Sequence, residues 1–211
     1  LYSYGFDNHD IVARTGIERS ELQSAARQIR GYFNNGDEFL VASVIQRGVH
    51  IPSLFNSREI LHMRDVKGLV RGVYRVQEVS GVYLAIFAAV GLIVWRRGFI
   101  QRLALSLGLG AGATLGLVVL VGLGVLIGFD RLFLAFHLVS FSNDLWQLDP
   151  RTDYLLIMFP EGFFFDAMTW VVGSTVVEAL LLASMSVVLL RRSTRKDHTG
   201  GRSLVTKGQG S

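Results

Sequence analysis

The chain alternates between stretches patterned like a small folded module and stretches with no polar pattern at all. Residues 79–95 (VSGVYLAIFAAVGLIVW) carry no charge and end at Arg96 and Arg97. Residues 103–127 run 25 positions without a charge or a proline, and residues 167–190 hold one acid, Glu178, before Arg191 and Arg192. A soluble core interrupts such runs with periodic polar positions, whereas a bilayer core takes about 20 apolar residues as a helix. The three runs predict membrane spans at about 76–95, 103–127 and 167–190. In the second, Gly108, Gly112 and Gly116 share one face and predict close helix packing.

The remaining pattern is that of a polar cap. SELQSAARQIRGYF sets Leu22, Ala25, Ala26, Ile29 and Phe33 at helical spacing, with Ser20 and Gln23 as a capping box and NNG at 34–36 as a stop. DEFLVASVIQR reads as one or two strands before a turn at Ile51 and Pro52. SREILHMRDVKGLVRGVYRVQEV begins a helix striped by Val66, Leu69, Val70, Val73 and Val76, which runs on into the first span. The expected architecture is a mainly α polytopic membrane protein with a small mixed α/β extracellular cap. The cap covers 1–64 and a helix bundle 65–190, whose outer loop 128–166 joins the cap; 191–211 is a basic, disordered cytoplasmic tail.

Charge supports this organisation and removes other classes. Residues 191–211 hold six Lys/Arg and one Asp, hence +5 of the net +4, leaving −1 elsewhere. A basic segment that follows a span is a topology signal rather than a nucleic-acid surface. Three arginines in 96–102, against two arginines and six acids in 128–166, put the short loop and the tail inside; five Lys/Arg at 58–78 pull the other way. The absence of cysteine excludes disulfides and thiolate chemistry. The chain starts at Leu1 with no apolar leader, and three spans with an inner tail leave residues 1–78 outside. That predicts a fragment of a four-span protein lacking its first membrane helix.

Candidate chemistry follows from topology. His62 precedes the first span and His137 follows the second, and a loop too short for anything but an antiparallel hairpin joins those spans. Both histidines therefore lie on one membrane face; His198 lies on the other, and His9 and His50 lack comparable acidic company. Around His62 stand Glu59, Arg64, Asp65 and Lys67; around His137 stand Asn143, Asp144, Asp149 and Asp153. A neutral imidazole oriented by a carboxylate is the usual general base near neutral pH. The segment from Phe129 to Trp170 also concentrates 11 of the 23 aromatic residues. An interfacial aromatic belt explains many of them, and a pocket wall explains the clustering. Glu59 and His62 form an E-x-x-H pair with no second copy, too few ligands for a metal. Glu178 is expected to face the bundle.

HMRDVKGL (62–69) and FHLVSFSNDLWQLDPRTDYLLIMFPEGFF (136–164) resemble a family of bacterial integral membrane proteins that includes the lipoprotein intramolecular transacylase, Lit. The resemblance covers about residues 1–190. It implies four membrane helices with an extracellular cap, a multi-pass protein of the bacterial cell membrane, and an active site on the extracellular face. It implies an acyltransferase; the ligand count gives no metal site, and no cofactor is expected. Its partners would be diacylglyceryl-modified lipoproteins and membrane lipid, and the reaction would move the sn-2 acyl chain to the N-terminal cysteine amine. By motif position the family's two catalytic histidines resemble His62 and His137. Asp65 and Asp149 become candidate orienting groups, and Asn143 and Trp146 candidates to line the site or donate. Phe136, Phe141, Phe159 and Phe163 would then wall an acyl pocket. A different lipid- or metal-assisted hydrolase, or a non-catalytic membrane scaffold, are the alternatives; the oligomeric state is not set by the sequence.

Overall fold

An amphipathic helix near the start of the chain anchors the cap. Arg19–Asn34 buries Leu22, Ala25, Ala26, Ile29 and Tyr32, so the stripe closes on Tyr32 and leaves Phe33 half-buried. Tyr32 takes the inner place because its hydroxyl donates to the Glu38 carbonyl (2.8 Å), which supplies the partner a buried phenol needs. The expected Ser20–Gln23 capping box does not form. The helix already begins at Arg19, and the Glu18 carbonyl accepts from the backbone N–H groups of Glu21 and Leu22.

The computed structural model describes residues 10–95 and 98–205, with backbone alone from 194 onward; His9 and the side chain of His198 lie outside the described residues. In chain order the elements are α1 (Ile11–Thr15), α2 (Arg19–Asn34), β1 (Val44–Gln46), β2 (Val49–Ile51), α3 (Ser57–Val90), a π-helical turn (Gly91–Trp95), α4 (Phe99–Ile127), α5 (Phe129–Ser140), α6 (Tyr154–Met158) and α7 (Glu161–Val205). Two compact units divide them. One takes in Leu1–Glu78 with Ile127–Thr169, the other Val79–Leu126 with Trp170–Ser211.

In the first unit β1 and β2 form an antiparallel hairpin in which Ile45 faces His50. The turn falls at Arg47 (φ 50°) and Gly48 (φ 80°), not at Ile51 and Pro52. Two successive left-handed residues twist the way a two-residue hairpin demands, and glycine takes the second at no steric cost. The core gathers Ile11, Ile17, Leu22, Leu40, Val44, Phe55 and Met63 with Leu155, Met158, Phe159 and Phe163. Residues more than 90 positions apart thus share one apolar cluster.

A buried lysine locks α3 to α2. Lys67 is 3% exposed; its ammonium donates to Asn35 Oδ1 (3.0 Å) and to the Asp37 carbonyl (2.6 Å) and lies 3.8 Å from the Tyr32 ring centroid. Lys67→Met keeps the stem and removes these partners, leaving two acceptors short. The expected loss is about 1–3 kcal/mol, read as a lower thermal unfolding midpoint of the detergent-solubilised protein. An unchanged midpoint would show that the ammonium contributes nothing net.

Among the described residues, three helices are long and apolar enough to cross a membrane: Ser57–Trp95, Phe99–Ile127 and Glu161–Ser193. Only 6%, 6% and 11% of their most apolar windows are buried, so the apolar surface faces outward, as lipid requires. The chain is a multi-pass membrane protein. Contact between α4 and α7 runs through small residues, with Ser186 Oγ donating to the Ala104 carbonyl (2.6 Å) at the open face of Gly108. Gly112 and Gly116 border open space, so of the three glycines expected to pack, Gly108 does so among the described residues. Ala104, Ala111 and Ala179 complete the seam. Glu178 borders a cleft of about 290 Å³ with Ser106, Thr114 and Thr175. α7 continues as helical backbone to Val205, where a disordered tail is expected from 191. No proline follows Pro160 to break the hydrogen-bond ladder.

Candidate active site

Two helices each contribute one histidine. His62 sits in the second turn of α3 and is 7% exposed; His137 sits near the end of α5 and is 9% exposed. Their ring centroids are 6.1 Å apart with planes 31° from parallel. Phe141 touches both, at 5.2 Å from His62 and 5.7 Å from His137. The pair lines a cleft of about 330 Å³ walled by Phe133, Leu134, Trp146, Leu148, Leu155, Leu156, Phe159 and Phe164, with Asp130 and Gln147 as further polar groups.

The local sequence explains how His137 is held. In FDRLFLAFHLVS, Phe129, Phe133 and His137 recur every four residues and stack up one face of α5. Their centroids are 5.8 Å apart for the two phenylalanines and 4.5 Å apart for Phe133 and His137. Trp146 covers the imidazole at 5.2 Å, and Phe136 meets it edge-on at 5.4 Å. His137 Nδ1 lies 2.7 Å from the Phe133 carbonyl oxygen. A carbonyl only accepts, so Nδ1 carries the proton, and in the neutral ring Nε2 keeps its lone pair.

His62 is in a different state. Its helix, with the π-helical turn, spans 39 residues, roughly 60 Å, twice the bilayer core of about 30 Å. The charge-free part begins after Glu78, so His62 belongs to the portion outside the spanning segment. Burial, reinforced by the neighbouring His137 and opposed by Asp65, holds its pKa down to about 4. The ring is therefore neutral at pH 7. Its Nδ1 is buried and has no hydrogen-bond partner among the described residues.

The other expected residues divide. Asp65 acts on His62 as a nearby charge, but its carboxylate accepts a hydrogen bond from Asn143 Nδ2 (2.8 Å). Asn143 Oδ1 accepts from the Leu145 backbone N–H. These two residues tie the 141–147 loop to α3 and donate nothing to the cleft. Asp149 is engaged with the backbone N–H and guanidinium of Arg151; the Arg151 N–H holds its carboxyl below the usual range. No hydrogen bond between Asp149 and either imidazole occurs among the described residues. Phe136 is 49% exposed and only flanks the site. Phe159 walls the cleft, while Phe163 is buried outside its lining and meets Phe159 edge-on at 5.2 Å.

Sequence reasoning missed Phe133, whose carbonyl sets the imidazole tautomer; the signal was its position four residues before His137 on a helix. It also missed what Glu59 holds together. Both carboxylate oxygens accept backbone N–H groups, of Asn56 (2.7 Å) and Leu155 (2.6 Å), so neither oxygen is turned to a metal.

The family model described as lipoprotein intramolecular transacylase Lit matches residues 1–164. The chain belongs to the Lit family. Its fold is that of solved structures of the membrane integral lipoprotein intramolecular transacylase Lit from Bacillus cereus. One is 22% identical with a TM-score of 0.62, covering 100% of this chain and 84% of that one. A histidine-to-arginine variant of the same protein is 21% identical with a TM-score of 0.67, covering 92% and 81%. No curated protein matches the chain by sequence. Membership in the Lit family makes the chain a membrane-bound acyltransferase whose substrates are lipoproteins.

Proposed function

We propose that this chain moves the sn-2 acyl chain of a lipoprotein's diacylglyceryl group to the α-amine of its N-terminal cysteine, with His137 as the base and His62 as the hydrogen-bond donor. The observation that carries this reading is the pair of buried imidazoles, 6.1 Å apart in one apolar cleft, within a chain of this family. Neither ring alone can do both jobs at once: aminolysis of an ester needs a proton acceptor at the amine and a donor at the carbonyl oxygen.

His137 suits the first task because the Phe133 carbonyl engages its Nδ1 and leaves Nε2 free to accept. His62 suits the second. Held neutral by burial, it is a poor base. A buried acceptor without a partner costs less than a buried N–H without one, which favours the tautomer with the proton on Nε2. That N–H would then face the developing oxyanion, as a neutral imidazole does in other enzymes. In sequence, the amine attacks the ester carbonyl as its proton passes to His137 Nε2. The tetrahedral oxyanion is held by the His62 N–H, and the imidazolium returns the proton to the departing sn-2 oxygen. One amide and one hydroxyl replace one ester and one amine, with no net proton change. Donor and acceptor lie in one molecule, so positioning supplies a large share of the rate. The apolar walls hold acyl chain and keep out the water that would hydrolyse the ester. The charge asymmetry of the loops supports an active site on the extracellular face.

The test is mass spectrometry of lipoprotein N-termini from a strain expressing the protein. The expected product has the mass of the diacylglyceryl form with one acyl chain on nitrogen and a free glycerol hydroxyl. A diacylglyceryl terminus that keeps its free amine sinks the transacylase reading, and loss of one acyl chain without gain of an amide would establish a hydrolase.

A further inference from the structure

Glu59 is 1% exposed and sits one helical turn before His62, yet no reacting role falls to it. Its surroundings show another use. Asn56 Oδ1 accepts the backbone N–H of Glu59 (3.0 Å), and Glu59 Oε2 accepts the backbone N–H of Asn56 (2.7 Å). This reciprocal pair is a capping box that starts α3. The second oxygen does something a capping box does not require. Oε1 accepts the backbone N–H of Leu155 (2.6 Å), 96 positions away, in the first turn of α6.

α6 lacks a side-chain cap of its own. The residue before it, Asp153, has its carboxylate committed to Asn56 Nδ2 (2.8 Å) and to the Asp149 backbone N–H (2.7 Å). Glu59 therefore closes the open N-terminus of α6 from across the fold. One carboxylate serves the positive ends of two helices, an arrangement favoured by both helix dipoles. α3 carries His62, and α6 presents Leu155 and Leu156, with Phe159 just beyond it, to the same cleft.

We propose that Glu59 is a positioning residue for the transfer reaction: its carboxylate clamps the His62 helix to the cleft wall formed by α6, and so fixes the imidazole relative to the bound acyl ester. The proposal rests on His62 being one of the reacting pair. The physical reason for a carboxylate here, rather than a neutral acceptor, is that two N–H donors converge on one side chain. A glutamine offers one acceptor oxygen and turns an NH₂ toward the second N–H, which then loses its partner and is pushed away.

The experiment compares wild type, Glu59→Gln and His62→Ala, purified in detergent and assayed on a synthetic diacylglyceryl-cysteine peptide. The His62 ring is followed in parallel by NMR titration without substrate. For Glu59→Gln a fall in kcat of roughly tenfold to 100-fold with KM within about threefold is expected, since a displacement of order 1 Å is enough for such a loss. The His62 titration is expected to move upward as the released wall admits water. A merely structural role predicts activity falling only in step with folded protein, and an unmoved His62 titration; that result overturns the proposal, as does a kcat within twofold of wild type. Should wild type itself form no amide, the transacylase reading fails, and the His62 titration still decides whether Glu59 holds that ring in place.

Discussion

His137→Ala is expected to lower amide formation by on the order of 10²–10⁴-fold, the usual contribution of a positioned general base. The protein should accumulate normally, because His137 stands outside the apolar cluster that holds the first unit together. Alanine is a good helix former and leaves the α5 backbone undisturbed. The ring's removal takes the side-chain contact from the Phe133 carbonyl, which lies inside α5 and keeps its place in the helix hydrogen-bond ladder. Residual product above background is part of the expectation, since a cleft that still folds donor and acceptor together retains catalysis by proximity. The readout is the N-acylated lipopeptide per unit of folded enzyme. Product within about threefold of wild type would remove His137 from the chemistry, and with it the reading of the pair.

The parts of the fold legible in the sequence were those set by one-dimensional pattern. Three long apolar runs, with Glu178 as their one charged residue, announced the membrane helices, because lipid disfavours polar interruption. The joint placement of His62 and His137 followed from counting span crossings. What escaped notice depends on contacts between distant segments. Nothing near Glu59 in the chain hints at the Leu155 N–H, so the sequence shows it only as acidic company for His62 and not as a residue that closes two helices. Asp149 stood near His137 in sequence, and such nearness made it a candidate orienter; the turn at 149–153 spends its carboxylate on Arg151 instead. The orienting acceptor for His137 proved to be a backbone carbonyl, which every residue possesses and no sequence motif can mark. Gly112 and Gly116 show the reverse failure. Their spacing fits close packing, but α7 meets α4 along Ala104, Gly108 and Ala111, a face rotated away from them.

His62 also makes stability depend on pH in a direction opposite to the usual histidine in an ion pair. Its folded-state pKa is depressed from 6.5 to about 4, so the unfolded chain takes up the proton first as pH falls. Stability from the buried neutral ring is complete above pH 6.5 and drains away between pH 6.5 and about 4, for a total of up to about 3 kcal/mol. Glu59 acts in the contrary sense, since burial raises its pKa in the fold and protonation there favours the folded state as pH falls. Comparing wild type with His62→Leu separates the two, because leucine fills the buried site with nothing to titrate while Glu59 remains in both. The difference between their unfolding midpoints should therefore shift in favour of His62→Leu as pH is lowered from 7 to 4.5, measured by thermal unfolding in a pH-insensitive detergent. Parallel curves over that range would mean that the ring is not desolvated in the folded protein. The argument that His62 acts as a neutral donor would then lose its physical basis, whatever the rate of the reaction.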